Sequence, residues 1–161
     1  MSFIVLRNNL KEALLITEKA LGENINLPVL KSLNFNINKE SVSISSTNLE
    51  IGITTNCSAK IINEEKFLVQ FNLISSLISN IPSERLDIKK INNLLEIKAD
   101  NYEASIPISS PEDFPIIPEI ENKNKYLELD GNIFTEALTQ VVQAVQFSEI
   151  RPEISGVFLN F

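Results

Sequence analysis

The chain contains short apolar runs, each followed by a segment in which apolar residues return every three or four positions. These two patterns recur in the same order. Residues 3–6 form a short apolar run, and from Leu10 apolar residues return every three or four positions until Gly22. Residues 66–71 and 127–130 begin two further units of this kind. A short apolar run with alternation is typical of a strand, and a spacing near 3.6 is typical of an amphipathic helix. The pattern therefore predicts a strand–helix unit that occurs three times.

An asparagine stands where each predicted strand meets its helix, at Asn8, Asn72 and Asn132. The side-chain oxygen of such a residue can accept a hydrogen bond from a free amide of the first helical turn. We therefore expect all three asparagines to be helix N-caps, so that Asn72→Ala lowers the free energy of unfolding by about 1 kcal/mol. Three junctions of the same kind indicate an internal structural repeat.

Each of the first two predicted helices is followed by three strands joined by short polar turns. The turns lie at 38–40 and 46–48 in the first half and at 92–93 and 100–101 in the second. Apolar residues alternate between them, as in a sheet with one buried face. We predict an α+β fold of two similar halves, about 1–62 and 63–107, with both helices on one side of curved antiparallel sheets.

A proline-rich segment predicts the boundary of this first domain. Four of the seven prolines fall within 107–118, which favours an ordered linker over a sheet strand. The first domain then covers 1–118, and 119–161 begins a second domain. In this second part we expect a helix near 132–146 and a return strand at 156–161. The predicted buried stripe of that helix is Phe134, Ala137, Leu138, Val141, Val142 and Val145.

The composition excludes several kinds of function. The chain has no histidine, which removes His-based triads and the commonest general base. Cys57 has no activating neighbour in sequence and is expected to be an inert core thiol. We expect no catalytic residue, no metal site and no cofactor. The net charge of −7 argues against tight non-specific binding of nucleic acid. No apolar run reaches the roughly 18 residues of a membrane span, and the single cysteine agrees with a cytoplasmic protein.

Several short motifs, taken in order, resemble the bacterial DNA polymerase III β sliding clamps. They are Leu-Pro-Val-Leu at 27–30, Thr-Asn-Leu-Glu-Ile at 47–51, Asp-Phe-Pro at 113–115, and the segment from Gln146 to Val157 with Arg151-Pro152 inside it. The resemblance implies the DNA-clamp fold and a non-catalytic processivity factor. Family chains carry three such domains, pair head to tail into a ring around duplex DNA, and dock polymerase and clamp-loader subunits. This chain resembles the first domain and the opening of the second, as either a truncated or a naturally short chain.

The resemblance also implies three sets of contact residues. The DNA-facing residues are Arg7, Lys11, Asn24 and Arg151. One edge of the cleft for partner peptides is formed by Arg151 and Ile154. The subunit interface contains Leu73, Leu77, Ile81, Ala104 and Ile106. Asn24 stands where the family often has a basic residue, and 72–80 contains no Lys or Arg.

Two other classes of function stay open from the residues alone. One is a stand-alone interaction module that presents the subunit-interface edge to other clamps. The weaker one is an enzyme that uses unpaired carboxylates, which would need turnover without histidine, metal or cofactor.

Overall fold

Two compact units divide the chain, one up to Pro118 and one from Glu119 onward. The structure is a computed structural model, and it describes residues 2–118, 126–148 and 150–160. Each unit is described by itself below.

The described residues of the first unit form nine strands and two α-helices. In chain order these are β1 Phe3–Leu6, α1 Arg7–Thr17, β2 Ser32–Ile37, β3 Val42–Thr47, β4 Gly52–Cys57, β5 Ala59–Ile61, β6 Glu65–Gln70, α2 Phe71–Asn80, β7 Arg85–Ile91, β8 Leu94–Ala99 and β9 Tyr102–Ser109. Short 3-10 turns follow α1 at Glu18–Ala20, precede β2 at Pro28–Lys31, and follow β9 at Pro111–Asp113.

The strands lie in the order β4-β3-β2-β6-β9-β8-β7-β1-β5, and every neighbouring pair is antiparallel. Strand β6 of the second half pairs with β2 of the first half. Strand β1 of the first half pairs with β7 of the second. The two halves thus exchange their first strands, so neither half completes its sheet alone.

Both helices pack on the same side of this sheet and share one core. Leu10 and Leu14 of α1 and Ile74 and Ile78 of α2 are fully buried with the inward side chains of the strands. Where the halves meet, the stacked rings of Phe35 (β2) and Phe67 (β6) lie 5.1 Å apart. The predicted α+β fold, with the helices on one side of curved antiparallel sheets, is confirmed.

The predicted asparagine caps are wrong. The N-cap positions are Leu6 for α1 and Gln70 for α2, and neither side chain makes a capping hydrogen bond. Asn8 and Asn72 therefore lie one residue inside their helices, with exposed side chains. The amide of Arg7, the first helical residue, instead donates to the backbone carbonyl of Glu84, at 2.7 Å.

The second unit contains α3, Gly131–Val142, and a 3-10 turn, Pro152–Ser155. Its helix does have a side-chain cap, but the cap is Asp130, whose carboxylate accepts from the amides of Asn132 and Ile133 at 2.9 and 3.1 Å. The residue next to the predicted Asn132 therefore supplies the cap.

The strands and the buried stripe predicted for the second unit are absent from its described residues. Neither 126–130 nor 156–160 is a strand, and Phe161 lies outside the described residues. Along α3, Phe134 and Leu138 are half-buried, whereas Val141 and Val142 are exposed. A strand needs a paired neighbour and an apolar helical stripe needs a sheet to cover it, and the described part of this unit offers neither. Among the described helices, none is long and apolar enough to cross a lipid bilayer.

Candidate interaction groove beside helix α2

A groove of about 690 Å³ lies between α2 and the first part of β9. All five residues predicted for the subunit interface line it: Leu73, Leu77, Ile81, Ala104 and Ile106. Residues four apart share one face of a helix, and residues two apart share one face of a strand. The spacing of the first three residues at 73, 77 and 81 and of the last two at 104 and 106 therefore brings the whole set into one surface.

One side of the groove ends in a strand edge. Strand β9 pairs with β8 from Tyr102 to Pro107, but it pairs with β6 only at Ile108 and Ser109. The stretch from Tyr102 to Pro107 therefore has no second strand partner among the described residues. An edge of this kind presents backbone N–H and C=O groups that another strand can bind.

The floor of the groove is apolar and its rim is polar. Ile81 and Ile106 are nearly buried, while Leu73 exposes 38% of its surface. On the helical rim, the side-chain amide of Asn80 donates to the carbonyl of Ser76, at 2.8 Å. This combination of an apolar floor and an open strand edge suits a protein surface rather than a polyanion.

The strand side of the rim carries one ion pair. Lys98 Nζ lies 2.7 Å from a carboxylate oxygen of Glu103, a residue that lines the groove. The hydrogen bond to Glu103 and the negative charge of that carboxylate raise the pKa of Lys98. Both groups are exposed, so the pair contributes little to stability.

Arg7 lies at the junction of the two helices. Its Nη1 donates to the carbonyl of Ile81, at 2.8 Å, and Ile81 is the C-cap residue of α2. A cation at the C-terminal end of a helix is favourable because the last carbonyls carry partial negative charge. Its buried Nε has no hydrogen-bond partner. Arg7 therefore connects the start of α1 to the end of α2.

Two other residues predicted to face DNA, Lys11 and Asn24, are exposed. Lys11 lies on the open face of α1, and Asn24 lies in the loop after it. The side-chain oxygen of Asn24 accepts from the amide of Asn26, at 2.9 Å, which fixes a local turn.

The two residues of the predicted peptide cleft belong to the second unit. Arg151 is exposed, and its amide donates to Ser148 Oγ at 3.1 Å. Its carbonyl accepts from the amide of Ile154, at 3.2 Å, so the 3-10 turn holds the two residues close together. Ile154 exposes about half of its surface.

Acid–base and metal chemistry have little support in the described residues. Burial, followed by the negative charge of Glu12, raises the pKa of the Cys57 thiol to about 11, so the thiol is protonated at neutral pH. In the described part of the chain, no three His, Cys, Asp or Glu side chains come together as a metal-binding group.

Sequence reasoning missed two contributors to these sites. Ile97 of β8 also lines the groove, and Arg7 reaches Ile81 across 74 residues of chain. The alternation along β8 could have indicated Ile97. No local pattern could have indicated the contact of Arg7, because it depends on how the two halves interlock.

Comparison with known proteins gives one consistent result. The family model for the DNA polymerase III beta subunit, N-terminal domain, matches residues 1–118. The beta sliding clamp of Streptococcus pneumoniae (strain ATCC BAA-255 / R6) is 24% identical over 96% of this chain and 43% of its own length.

Solved structures are similar over nearly the whole chain. The beta subunit from DNA polymerase of Streptococcus pyogenes has a TM-score of 0.88 at 19% identity, covering 94% of this chain and 42% of that one. The Helicobacter pylori beta clamp bound to a DNA ligase peptide has a TM-score of 0.80 at 17% identity, covering 91% and 41%. This chain thus spans less than half the length of these proteins. Since the family model matches most of the chain, from residue 1 to residue 118, the chain belongs to the family of the DNA polymerase III beta subunit.

Proposed function

We propose that this chain supplies the first domain of a sliding clamp, a non-catalytic processivity factor that encircles duplex DNA, and that the groove beside α2 binds a second clamp subunit. The observation that carries the proposal is the convergence of Leu73, Leu77, Ile81, Ala104 and Ile106 beside the open edge of β9. An extended apolar groove next to free backbone groups can bind another sheet by side-chain packing and by strand pairing together.

Contacts with DNA are proposed for Arg7, Lys11, Asn24 and Arg151. A closed ring holds DNA topologically, so the net charge of −7 does not oppose this role, although it does oppose tight binding of linear DNA. Lys11 and Arg151 are exposed and can meet phosphates. Arg7 has a structural role as well, because its guanidinium is bonded to Ile81.

Docking of polymerase and clamp-loader peptides is proposed for the surface around Arg151 and Ile154. The support is the exposure of both residues and the 3-10 turn that holds them together. A related clamp, that of Helicobacter pylori, has been solved with a DNA ligase peptide. Because clamps act on duplex DNA, we propose the cytoplasm as the location.

Self-association tests the groove directly. The open edge of β9 should pair two copies of this chain at high concentration. We expect sedimentation equilibrium of the 161-residue chain to show a mass that rises with concentration. Leu73→Lys should shift the mass toward the monomer, because it places a charge in the apolar groove.

Leu94→Lys is the matched control, because Leu94 is a similarly exposed leucine of β8 that does not line the groove. It should leave the association unchanged. A parent chain that stays monomeric at all concentrations would contradict the expected pairing of two β9 edges, and equal effects of the two lysine variants would contradict the part assigned to the groove.

A further inference from the structure

Besides the groove beside α2, a second surface lies along β1, on the face of the sheet opposite the helices. Phe3 and Val5 point into the core, so Ile4 and Leu6 point to the outer face. Leu6 exposes 54% of its surface. Both residues line a groove of about 510 Å³ together with Lys60 of β5 and Arg85 of β7. We name this surface, made of Ile4, Leu6, Lys60 and Arg85, the outer-face patch.

Strand register places positive charge on both sides of the apolar centre. Ile4 is paired with Lys60 on one side and with Asp87 on the other, and Leu6 is paired with Arg85. Arg85 Nε lies 3.1 Å from Asp87 Oδ1, so one of the two cations already has an acidic neighbour. Lys60 makes no salt bridge to any described residue. The patch therefore combines an apolar centre with one uncompensated positive charge.

The internal repeat shows what covers the equivalent surface in the other half. With the offset of 64 that relates β1 to β6, Ile4 corresponds to Leu68 and Leu6 to Gln70. Leu68 also points to the outer face, yet it is only 2% exposed. The 3-10 turn Pro111–Asp113 packs against β6, and the following residue, Phe114, is buried. An acidic, aromatic and proline-containing segment of the chain itself therefore covers this position.

In the first half, no equivalent segment among the described residues covers Ile4, because the chain after β5 continues into another strand. Strand β5 pairs with β1 as the end of β9 pairs with β6: Val5 faces Ala59, and Val69 faces Ile108. After β9 the chain continues into the 3-10 turn that covers Leu68. After β5 it enters β6 within four residues, at Glu65. Ile4, the position equivalent to Leu68, is therefore left partly exposed, and the edge of β5 away from β1 has no strand partner among the described residues.

We propose that the outer-face patch binds an extended acidic peptide of a partner protein, with the chemistry of residues 110–115 of this chain, Ser-Pro-Glu-Asp-Phe-Pro. An aromatic side chain would pack on Ile4 and Leu6, as Phe114 is buried near β6. An acidic residue of the peptide would pair with Lys60, which stands where the other half has the uncharged Ser109. The apolar centre favours a peptide over nucleic acid, because phosphate binding requires several cations and gains nothing from exposed leucine. This inference does not depend on the proposed clamp function.

The probe is a fluorescein-labelled synthetic peptide with the sequence of residues 109–118, titrated into the full 161-residue chain and followed by fluorescence anisotropy. We expect saturable binding. In ¹H–¹⁵N NMR spectra, the unlabelled peptide should shift the amides of Leu6 and Lys60 most strongly. Lys60→Glu should weaken binding about fivefold or more, since it reverses a charge at the rim. Leu6→Gln, which introduces the residue found at position 70, should weaken it similarly.

Two controls separate recognition from general charge effects. Lys39→Glu changes the same charge at an exposed turn far from the patch in the sheet order, and it should leave the affinity unchanged. A peptide with Gln and Asn in place of its two acidic residues should bind about fivefold more weakly. All three altered chain residues are exposed, and circular dichroism of each variant checks the fold.

Three results would overturn the proposal. The first is the absence of saturable binding up to about 1 mM peptide, the weakest affinity that still indicates a site. The second is a set of NMR shifts centred on Leu68 or on the groove beside α2 instead of the outer-face patch. The third is displacement of the peptide by a short duplex DNA at a lower concentration than by unlabelled peptide.

Discussion

Helix capping in this protein depends on backbone geometry and not on the presence of an asparagine near the helix. Asn72 is the second residue of α2 and is exposed, whereas Asp130 precedes α3 and bonds two of its amides. We expect Asn72→Ala to change the free energy of unfolding by less than about 0.5 kcal/mol, as for ordinary surface positions. Urea midpoints of the parent and the variant provide the measurement. A loss of 1 kcal/mol or more would restore the capping role.

Asp130→Ala is the complementary change. It should destabilise α3 by about 1 kcal/mol, because two amides of the first turn lose their acceptor. Amide hydrogen exchange of Phe134 and Leu138 should become about fivefold faster. Asn132→Ala is the matched control and should leave these rates nearly unchanged. Faster exchange in Asn132→Ala than in Asp130→Ala would contradict the assignment of Asp130 as the cap.

The thiol of Cys57 should make stability depend on pH in the alkaline range. Burial raises its pKa from 9.0 to about 11 in the folded protein. Below pH 9 the thiol is protonated in both states and contributes nothing. Between pH 9 and 11 only the unfolded state loses the proton, so stability falls, by about 1 kcal/mol at pH 10.

Cys57→Ala provides the comparison, because every other titrating group is the same. The difference in urea midpoint between parent and variant should shrink as the pH rises from 8 to 10. A constant difference over this range would show that the thiol titrates at its ordinary pKa.

The pattern of apolar and polar residues predicted the buried core more reliably than it predicted the ends of helices. Alternation predicted sheets with one buried face, and in β2 the alternating residues Leu33, Phe35 and Ile37 are indeed buried. The position of a cap was wrong because helix entry is fixed partly by a distant contact, the bond between the amide of Arg7 and the carbonyl of Glu84. Burial follows from sequence periodicity, whereas this bond depends on which strand lies beside β1.

The hydrogen bond from Arg7 to the carbonyl of Ile81 links the two helices. Among the described polar contacts of α1, its loss should lower stability most. Arg7→Met keeps most of the aliphatic stem but removes the charged donor to Ile81. We expect a loss of about 1.5–3 kcal/mol in the free energy of unfolding, the range for a hydrogen bond to a charged group. Urea denaturation followed by far-UV circular dichroism measures this change.

Arg85→Met is the control, since Arg85 is mostly exposed and pairs with Asp87 at the surface. It should cost no more than about 1 kcal/mol. Equal losses of unfolding free energy for the two variants would show that the bond to Ile81 contributes no more than an exposed ion pair.

At the level of elements, the repeat predicted which elements form but not how they pair. The second half follows the predicted strand–helix–three-strand order, whereas four strands follow the helix of the first half, because β5 is separate from β4. Their exchange of first strands, with β1 beside β7 and β6 beside β2, could not be deduced from the period of the repeat. An internal repeat defines equivalent elements, and the choice between pairing within a half and pairing across halves depends on long-range packing.

The surface of the molecule was predicted largely through resemblance. Helical and strand spacing alone would have grouped Leu73 with Leu77 and Ala104 with Ile106, but it would not have placed the two pairs in one groove. The resemblance to sliding clamps supplied that step. Neither spacing nor resemblance indicated the outer-face patch, because it became visible only when the buried Leu68 could be compared with the partly exposed Ile4.

The two units should differ strongly in their stability. The first unit contains the shared core, whereas Ile133 and Phe147 of the second expose 70% and 80% of their surface, and no described residue of α3 is buried. A helix of about 12 residues without a packed face is only marginally stable in water.

We therefore expect a chain ending at Pro118 to unfold with the same urea midpoint and slope as the 161-residue chain. In the longer chain, amides of α3 should exchange with solvent much faster than those of α1 and α2. Circular dichroism and hydrogen exchange provide the two measurements. A midpoint that falls on shortening, or protection of α3 equal to that of α1, would show that the second unit forms part of the same cooperative fold.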